Sequence, residues 1–436
     1  MIKKTIKYLA YSVVFISALC IYSWMIYHSS TGGTKLDFIK TPLLKFAGFP
    51  QQVQEVLTSS EVKDIPSTYI SADQSFEPIN KLNYNLYGLT TFWNKEKAHW
   101  DMEVINFKDD SVIHTWHFDR ETYGDYHAPF KVSPPKNILL LPKKDLIVSL
   151  TSTPTLCRLD SNSNIIWRNT DFEYHNSINL DADSNIWVCA SDKSEGSSRV
   201  YTGGLVKNLN GDLISYWENY IVQVDINTGE TLLKKGVAHL LLDNGYKNIV
   251  YGGNLKDPMH INDIQPALED TDYWKKGDLF ISVRHRSLII HYRPSNNEVI
   301  KLIQGPFINQ HDVDIISDHE ISIFNNNYIV DFGFECDEAY KQVDSLNSSE
   351  VIIYNFEKDS FSNYLQNVFL KQEIITEGQG LSEFLSNGDL FVEETDGGVY
   401  YIFNQEEIVL KKVFNTPNAD YIFMPLWVRI YEELPF

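Results

Sequence analysis

The sequence predicts an all-β fold, a six-bladed β-propeller, and two features of the 436-residue chain support this. Short runs rich in Val, Ile, Tyr, Phe and Trp are separated by turn signals such as "DSNSN", "DADSN" and "SNGD", and no long amphipathic helix interrupts them. Similar segments also return every several dozen residues, which is the signature of a repeat architecture. Residues 76–436 would supply about six four-stranded blades of this size.

The repeated segments share a polar residue at the head of an apolar strand. They are "HAPFKVSPPKNILLLP" from His127, "HNSINLDADSNIWVCAS" from His175, "HDVDIISDHEISIF" from His311 and "QGLSEFLSNGDLFVEE" from Gln379. The segment from His260, "HINDIQPALEDTDYWKKGDLFISVRH", fits the pattern with a longer turn. In a closed ring the first strand of each blade lines a central channel, so we expect the four histidines to meet at one mouth. The last strands, within "DYIFMPLWVRIYEEL", are predicted to close the ring against "NLYGLTTFW".

The first 27 residues, "MIKKTIKYLAYSVVFISALCIYSWMIY", predict a single transmembrane helix. Three lysines precede an uncharged run, residues 8–27, long enough to cross a hydrocarbon core of roughly 30 Å. The positive-inside rule places the N-terminus in the cytoplasm and the rest of the chain in the periplasm or outside the cell. A cleaved signal peptide is the alternative, although no clear cleavage site follows the run. Residues 28–75 are interpreted as a tether.

The formal net charge of −21 makes a nucleic acid or an anionic membrane surface an unsuitable partner. Beyond the predicted anchor the chain contains Cys157, Cys189 and Cys336, which can form at most one disulfide in any of three pairings. The fold is therefore not a disulfide-stapled scaffold.

A group of histidines allows three kinds of chemistry. A metal site would need a carboxylate such as Asp263, Asp312 or Asp314 to complete the ligand shell. A nucleophilic histidine would need cationic partners that stabilise a charged group in transfer. A purely structural ring would need hydrogen-bond acceptors and no cations.

The segment "GDLFISVRHRSLII" favours the second kind of chemistry, because it brings cations beside the His260 strand. Alternation along a strand would direct Arg284 and Arg286 to one face and His285 to the other. In so acidic a protein, a concentrated positive spot is the place to which an anionic substrate is drawn.

Three motifs in order, "MHINDI" at 259–264, "GDLFISVRHRS" at 277–287 and "GPFINQHDVDI" at 305–315, resemble the arylsulfotransferase family of bacterial arylsulfate sulfotransferases. "IFNNN" follows them, and the resemblance extends over roughly residues 120–400. It implies a six-bladed propeller that moves a sulfuryl group from one phenol to another through a sulfohistidine. It also implies that neither a nucleotide sulfate donor, another cofactor nor a metal is used, and that the partners are an aryl sulfate ester and a hydroxyl acceptor.

By motif, the resemblance implies that His311 is the nucleophile and that His260 handles the proton of the phenol. Arg284 would bind the sulfate, and His175 would be the remaining catalytic histidine of the channel. Three further residues are expected to contact substrate: Asn262, Arg286 and His127.

Two other classes of function stay open. One is a metal-dependent propeller hydrolase or lactonase, which metal content would reveal. The other is a membrane-tethered propeller that binds an anionic ligand without reaction, which covalent labelling would exclude. Better-known members of the family carry an extra N-terminal β-domain that helps them dimerise, whereas residues 28–75 are weakly patterned here, so the oligomeric state is left open.

Overall fold

The chain was analysed as a computed structural model. The described residues are 68–73, 75–97, 99–118, 134–150, 154–191, 200–201, 215–216, 218–252, 257–328, 348–405 and 407–436, with scattered positions between 11 and 25. His127, Cys336 and most of the predicted anchor lie outside them. No helix within this described part is long and apolar enough to span a membrane, so the anchor stays a prediction.

Residues 67–436 form one compact unit, and six antiparallel sheets within it are the blades of a propeller. The predicted all-β, six-bladed fold is therefore confirmed. Each blade is given with its innermost strand first: β29 (Arg429–Tyr431), β3 (Tyr87–Asn94), β4 (His99–Asn106) and β5 (Val112–Phe118); β6 (Pro135–Leu140), β7 (Leu146–Leu150), β8 (Leu156–Leu159) and β9 (Ile165–Asn169); β10 (Glu173–Leu180), β11 (Ile186–Ser191), β14 (Asn219–Val224) and β15 (Thr231–Gly236); β16 (Ile261–Pro266), β17 (Leu279–Val283), β18 (Leu288–Arg293) and β19 (Glu298–Ile303); β20 (Val313–Ile315), β21 (Glu320–Asn325), β22 (Glu350–Asn355) and β23 (Ser360–Tyr364); β24 (Leu381–Phe384), β25 (Leu390–Glu394), β26 (Val399–Asn404), β27 (Glu407–Lys412) and β2 (Ile79–Asn80).

The remaining elements are short. They are the paired strands β1 (Tyr69–Ser71) and β28 (Tyr421–Phe423), the hairpin β12 (Val200–Tyr201) and β13 (Ser215–Tyr216), and the helices α1 (Val237–Asp243), α2 (Lys247–Tyr251) and α3 (Gln366–Gln372). Strand β1 falls within the predicted tether, residues 28–75, and its pairing with β28 joins it to the propeller unit.

The apolar runs of the sequence are the second strands of the blades. In β7, β11, β17 and β25 every residue is buried, because each blade is covered by a neighbour on both faces. The outermost strands β15 and β23 are exposed at alternate or most positions. The hydrophobic clusters accordingly lie between neighbouring blades, where α1 and α2 also pack.

The C-terminus closes the ring. Strand β29 pairs with β3 in the register Ile430↔Gly88, which confirms the predicted closure. Gly88 is required by close packing, since a Cβ at this position would lie 2.4 Å from the ring of Phe107.

Buried carboxyl groups on or beside the first two strands join successive blades. Each accepts a backbone N–H from the next blade, so that a polar group inside the protein is satisfied while the ring is held together. The pairs are Asp263 Oδ2 with Val313 N (3.0 Å), Asp312 Oδ2 with Ser382 N (3.0 Å), and Glu393 Oε2 with Val428 N (2.6 Å).

Candidate active site

The strand heads of four successive blades meet, as the repeat predicted. His175 lies in β10, and His260, His311 and Gln379 immediately precede β16, β20 and β24. Gln379 N–H donates to His311 Nε2 over 3.0 Å, and His260 contributes to lowering the pKa of both His175 and His311. Three of the four predicted histidines are therefore neighbours, while His127 lies outside the described residues.

His311 is buried, with 4% of its surface exposed, and both ring nitrogens have partners. Because Nε2 accepts from the Gln379 N–H, the ring proton is assigned to Nδ1, which donates to Asn326 Oδ1 over 2.6 Å. Burial and, after it, the nearby charge of Arg284 hold the pKa of His311 well below 6.5. The ring is therefore neutral, with the lone pair of Nε2 directed at the Gln379 N–H.

Asn326 fixes the position of His311. Its Nδ2 donates to the carbonyl oxygens of Thr376 and Gln379 over 2.9 and 2.8 Å, which ties the imidazole to the segment before β24. Asp312, the residue next to His311 in the sequence, does not orient this imidazole, because its carboxyl group accepts from Ser382 N–H instead. The "IFNNN" tract was noticed as part of the family motif, but no role was predicted for Asn326.

Asp257, His260 and His285 form a second group beside His311. His260 Nδ1 lies 2.6 Å from Asp257 Oδ2, and His285 Nδ1 lies 2.8 Å from the backbone oxygen of Asp257. The two imidazoles are stacked with centroids 4.4 Å apart, and burial followed by the charge of His260 lowers the pKa of His285 to about 4. Burial raises the pKa of Asp257, but its hydrogen bond to His260 and the adjacent histidines outweigh this and lower it. Sequence reasoning missed Asp257, although it stands three residues before His260 in "DPMHIND".

The arginines lie in a tight 3₁₀ turn, residues 284–286, between β17 and β18. The predicted strand alternation across this stretch was wrong, because Ser287 adopts a left-handed conformation (φ 46°) that closes the turn. Arg284 enters the site: its Nη2 donates to Glu377 O over 3.3 Å, and its buried Nε has no hydrogen-bond partner among the described residues. Arg286 donates instead to Ile249 O in α2 over 2.7 Å.

Three further residues surround this centre. Burial and then His260 lower the pKa of His175 to about 4. Asn262 is fully buried and donates to Gln310 O over 2.9 Å, so it supports the residue before His311. Lys136, which sequence reasoning missed, donates to Gln379 Oε1 over 3.2 Å, and burial lowers its pKa.

A polar cavity of about 200 Å³ is lined by the inner strands that carry these histidines. Its lining includes Asp263, Asp312, Asp314, Glu383 and Arg429. Burial, followed by mutual repulsion among the carboxylates, raises the pKa values of Asp312 and Asp314 well above their ordinary range. Asp263 and Asp312 accept the hydrogen bonds between blades described above, and neither belongs to the group of histidines.

Together these features define a class of protein: a six-bladed propeller whose inner strands present a neutral, oriented histidine beside a half-buried guanidinium, the Nε of which has no hydrogen-bond partner among the described residues. Such a site suits a covalent reaction at an anionic group, because the cation offsets charge on the transferred group while the imidazole attacks. The chain belongs to the arylsulfotransferase (ASST) family, whose model matches residues 137–415. This membership indicates a sulfotransferase acting, in general terms, on aryl sulfate donors and their acceptors.

Comparison with other proteins adds little to this. No curated protein matches the sequence significantly. Solved structures with a similar fold include a protein of unknown function from Bacteroides caccae (11% identity, TM-score 0.47, 80% of this chain and 100% of that one). Others are catalytically inactive virginiamycin B lyase from Staphylococcus aureus with quinupristin (8%, 0.41, 81% and 98%) and Kuenenia stuttgartiensis hydrazine synthase (10%, 0.41, 82% and 90%). These TM-scores are too low to support any argument about function.

Proposed function

We propose that this protein moves a sulfuryl group from an aryl sulfate ester to a phenolic or other hydroxyl acceptor through a sulfohistidine at His311. The neutral Nε2 attacks sulfur, the bond from sulfur to the aryl oxygen breaks, and the electron pair of that bond leaves with the phenolate. Nδ1 keeps its proton and its hydrogen bond to Asn326, so the sulfated imidazole is stabilised as it becomes positively charged.

Charge on the transferred group is balanced by Arg284 and a backbone donor. The Nε of Arg284, which has no hydrogen-bond partner among the described residues, offers a donor for a sulfuryl oxygen. The Gln379 N–H, which now bonds to Nε2, has to leave that atom when Nε2 bonds to sulfur, and a sulfuryl oxygen is its natural new acceptor. Transfer of this kind depends on positioning and on cancelling charge at the equatorial oxygens, as in phosphoryl transfer.

His260 handles the proton in both half-reactions. Asp257 accepts from its Nδ1–H, so His260 in its protonated form gives its Nε2 proton to the departing phenolate and is left neutral. A phenol has a pKa of about 10, as in tyrosine, so modest proton donation is sufficient. In the second half-reaction His260 accepts the proton of the acceptor hydroxyl, whose oxygen attacks sulfur and releases His311.

The observation that carries this proposal is the buried, neutral His311 held between Asn326 and Gln379 beside Arg284. The test is intact-mass spectrometry of the full-length protein in detergent after incubation with a phenolic sulfate ester. We expect a mass gain of one sulfuryl group in the wild type and none in His311→Ala. His319→Ala is the matched control, since His319 also belongs to the fifth blade but pairs with Asp318 and does not touch the site.

Either of two results would reject the proposed intermediate: no adduct and no phenol release on adding a second phenol, or an adduct that persists in His311→Ala. The first would favour a propeller that binds an anion without reacting. The second would place the nucleophile elsewhere in the chain.

A metal-dependent hydrolase has one observation in its favour. Asp257, His260 and His285 offer three ligand atoms within 4.8 Å of one another. Arg284 opposes this function, because a guanidinium beside the group repels a cation. Elemental analysis of the purified protein decides: a stoichiometric metal, lost together with activity on chelation, would favour the hydrolase.

We further propose that residues 8–27 anchor the protein in the membrane with the propeller in the periplasm or outside the cell. The support is the uncharged length of this segment and the lysines before it. The predicted result is that the full chain resists alkaline extraction from membranes and that protease added to intact spheroplasts digests the propeller. Release by alkali, or protection from the protease, would refute the anchor or its orientation.

A further inference from the structure

Two histidines and an aspartate lie together on the first blade, on its outer strands and not at the strand heads that form the active site. His99 and Asp101 are two residues apart in β4, so their side chains share a face of the sheet. Asp101 is paired in register with His117 of the outermost strand β5. Strand geometry alone therefore brings the three side chains together.

Their ligand atoms converge. His99 Nε2 and His117 Nδ1 lie 2.8 and 2.6 Å from the same oxygen, Asp101 Oδ1, and the two rings are stacked with centroids 4.9 Å apart. At 2.8 Å from Asp101 Oδ1, His99 Nε2 is nevertheless a buried nitrogen without a hydrogen-bond partner among the described residues. A buried imidazole nitrogen that lies close to a carboxylate and to a second imidazole, yet makes no hydrogen bond among the described residues, is better explained by a ligand.

We propose that His99, Asp101 and His117 bind a divalent transition metal of the kind that prefers imidazole, with zinc as the representative ion. Two imidazole nitrogens and one carboxylate oxygen are donors suited to zinc, and all three atoms lie within 4.8 Å of one another. The Asn94 amide donates to Asp101 Oδ2 over 2.9 Å and orients the carboxylate from behind. The His117 side chain is 50% exposed, which leaves room for a water molecule as a further ligand.

Only a small movement is needed to admit the ion. With bonds of about 2.0–2.1 Å in a tetrahedral site, two donor atoms are about 3.3 Å apart. The imidazoles therefore withdraw from Asp101 by roughly half an ångström, which a rotation of the exposed His117 side chain can supply. The bound ion links β4 to β5, so its effect is on stability of the first blade and not on sulfuryl transfer.

The test is zinc titration of the full-length protein by calorimetry, repeated with cobalt(II) to follow ligand-field absorption. We expect His117→Ala and Asp101→Asn each to bind one fewer zinc than the wild type, or to bind that zinc at least about 10-fold more weakly, with transferase activity unchanged. Zinc should also raise the melting temperature of the wild type more than that of either variant. His319→Ala is the matched control, because it removes a histidine 2.5 Å from Asp318, an aspartate that has no second imidazole beside it in the described part of the chain.

The wild type and the variants all keep Asp257, His260 and His285, so any zinc bound there is common to them. The difference in the number of zinc ions bound therefore reports on the site in the first blade. Equal zinc stoichiometry and affinity in the wild type, His117→Ala and Asp101→Asn would overturn the proposal. So would a loss of zinc in His319→Ala equal to that in His117→Ala.

Discussion

Replacing Asn326 with alanine tests the central feature of the proposed mechanism, which is the fixed orientation of His311. The side chain makes three hydrogen bonds inside the protein: Oδ1 accepts from His311 Nδ1 at 2.6 Å, and Nδ2 donates to Thr376 O and Gln379 O at 2.9 and 2.8 Å. Asn326→Ala removes all three and leaves the Nδ1 proton of His311 without an acceptor.

The expected cost follows from these contacts. At a net value of about 1 kcal/mol for each hydrogen bond, the free energy of unfolding should fall by about 3 kcal/mol. The effect on rate should be larger, because the imidazole can then turn or carry its proton on Nε2, the atom that has to attack. Misplacement of a reacting group by about 1 Å can cost roughly 100-fold, so we expect kcat to fall by about that factor.

The assay is steady-state transfer between two phenols, with urea unfolding measured in parallel. Asn325→Ala is a matched control: Asn325 is also buried and also makes three hydrogen bonds, with Ile308 N, Asn327 N and Glu350, but on the other side of the strand. Both variants should be destabilised alike, and only Asn326→Ala should lose activity. If folded Asn326→Ala keeps kcat within about 3-fold of Asn325→Ala, then Asn326 does not orient the nucleophile.

Three further predictions concern the loop, the histidines and the ring closure. A Cβ at Gly380 (φ 78°) would lie 2.5 Å from the Phe324 ring, so Gly380→Ala should displace the neighbouring Gln379 N–H. We expect kcat to fall at least about 10-fold, whereas an unchanged kcat would show that this donor is dispensable. Burial, followed by the charge of His260, lowers the pKa of His175 and His285 to about 4, so both stay neutral in mild acid and kcat/KM should fall only near that pH. A fall in kcat/KM centred near the ordinary histidine pKa would contradict this if it disappears in His175→Gln or His285→Gln, because it would then belong to one of these two residues. Burial raises the pKa of Glu393 from 4.5 to about 7, so between these pH values the folded protein keeps a proton that the unfolded chain releases. The free energy of unfolding should therefore fall as pH rises through this window. Urea unfolding should show a smaller fall in Glu393→Gln than in the wild type.

The fold could be predicted from the sequence because its two signals are physically strong. Strands covered on both faces have to be mostly apolar, as "LIVSL" and "LFISV" are with one serine each, and turn residues between them mark each hairpin. The turn at 284–286 was missed because it contains neither glycine nor proline. Its left-handed residue is Ser287, and the flanking residues read as one continuous strand.

The candidate site was only partly predictable, for a related reason. Histidines in register through a repeat lie at equivalent points of successive blades, so His175, His260 and His311 could be expected to meet. Their partners do not follow the repeat. Asn326 lies after β21 and Asp257 precedes its blade, while the donor to Nε2 is a backbone N–H at Gln379, which no side chain identifies in advance.

The acidic interior of the channel does not oppose the binding of an anion at this site. Four acids and one arginine in the same cavity would repel a sulfate ester if all the carboxyl groups were ionised, but burial shifts their equilibria toward the neutral form. The pKa values of Asp312 and Asp314 are raised well above the ordinary range, and that of Glu383 is raised to about 7. Protonated carboxyl groups cancel little of the potential of Arg284, because a neutral acid contributes only a dipole. The burial that keeps His311 neutral, and hence nucleophilic, therefore also keeps many of the surrounding carboxyl groups uncharged. The fold thus provides both a nucleophile and a positive potential at this site, in a protein of net charge −21.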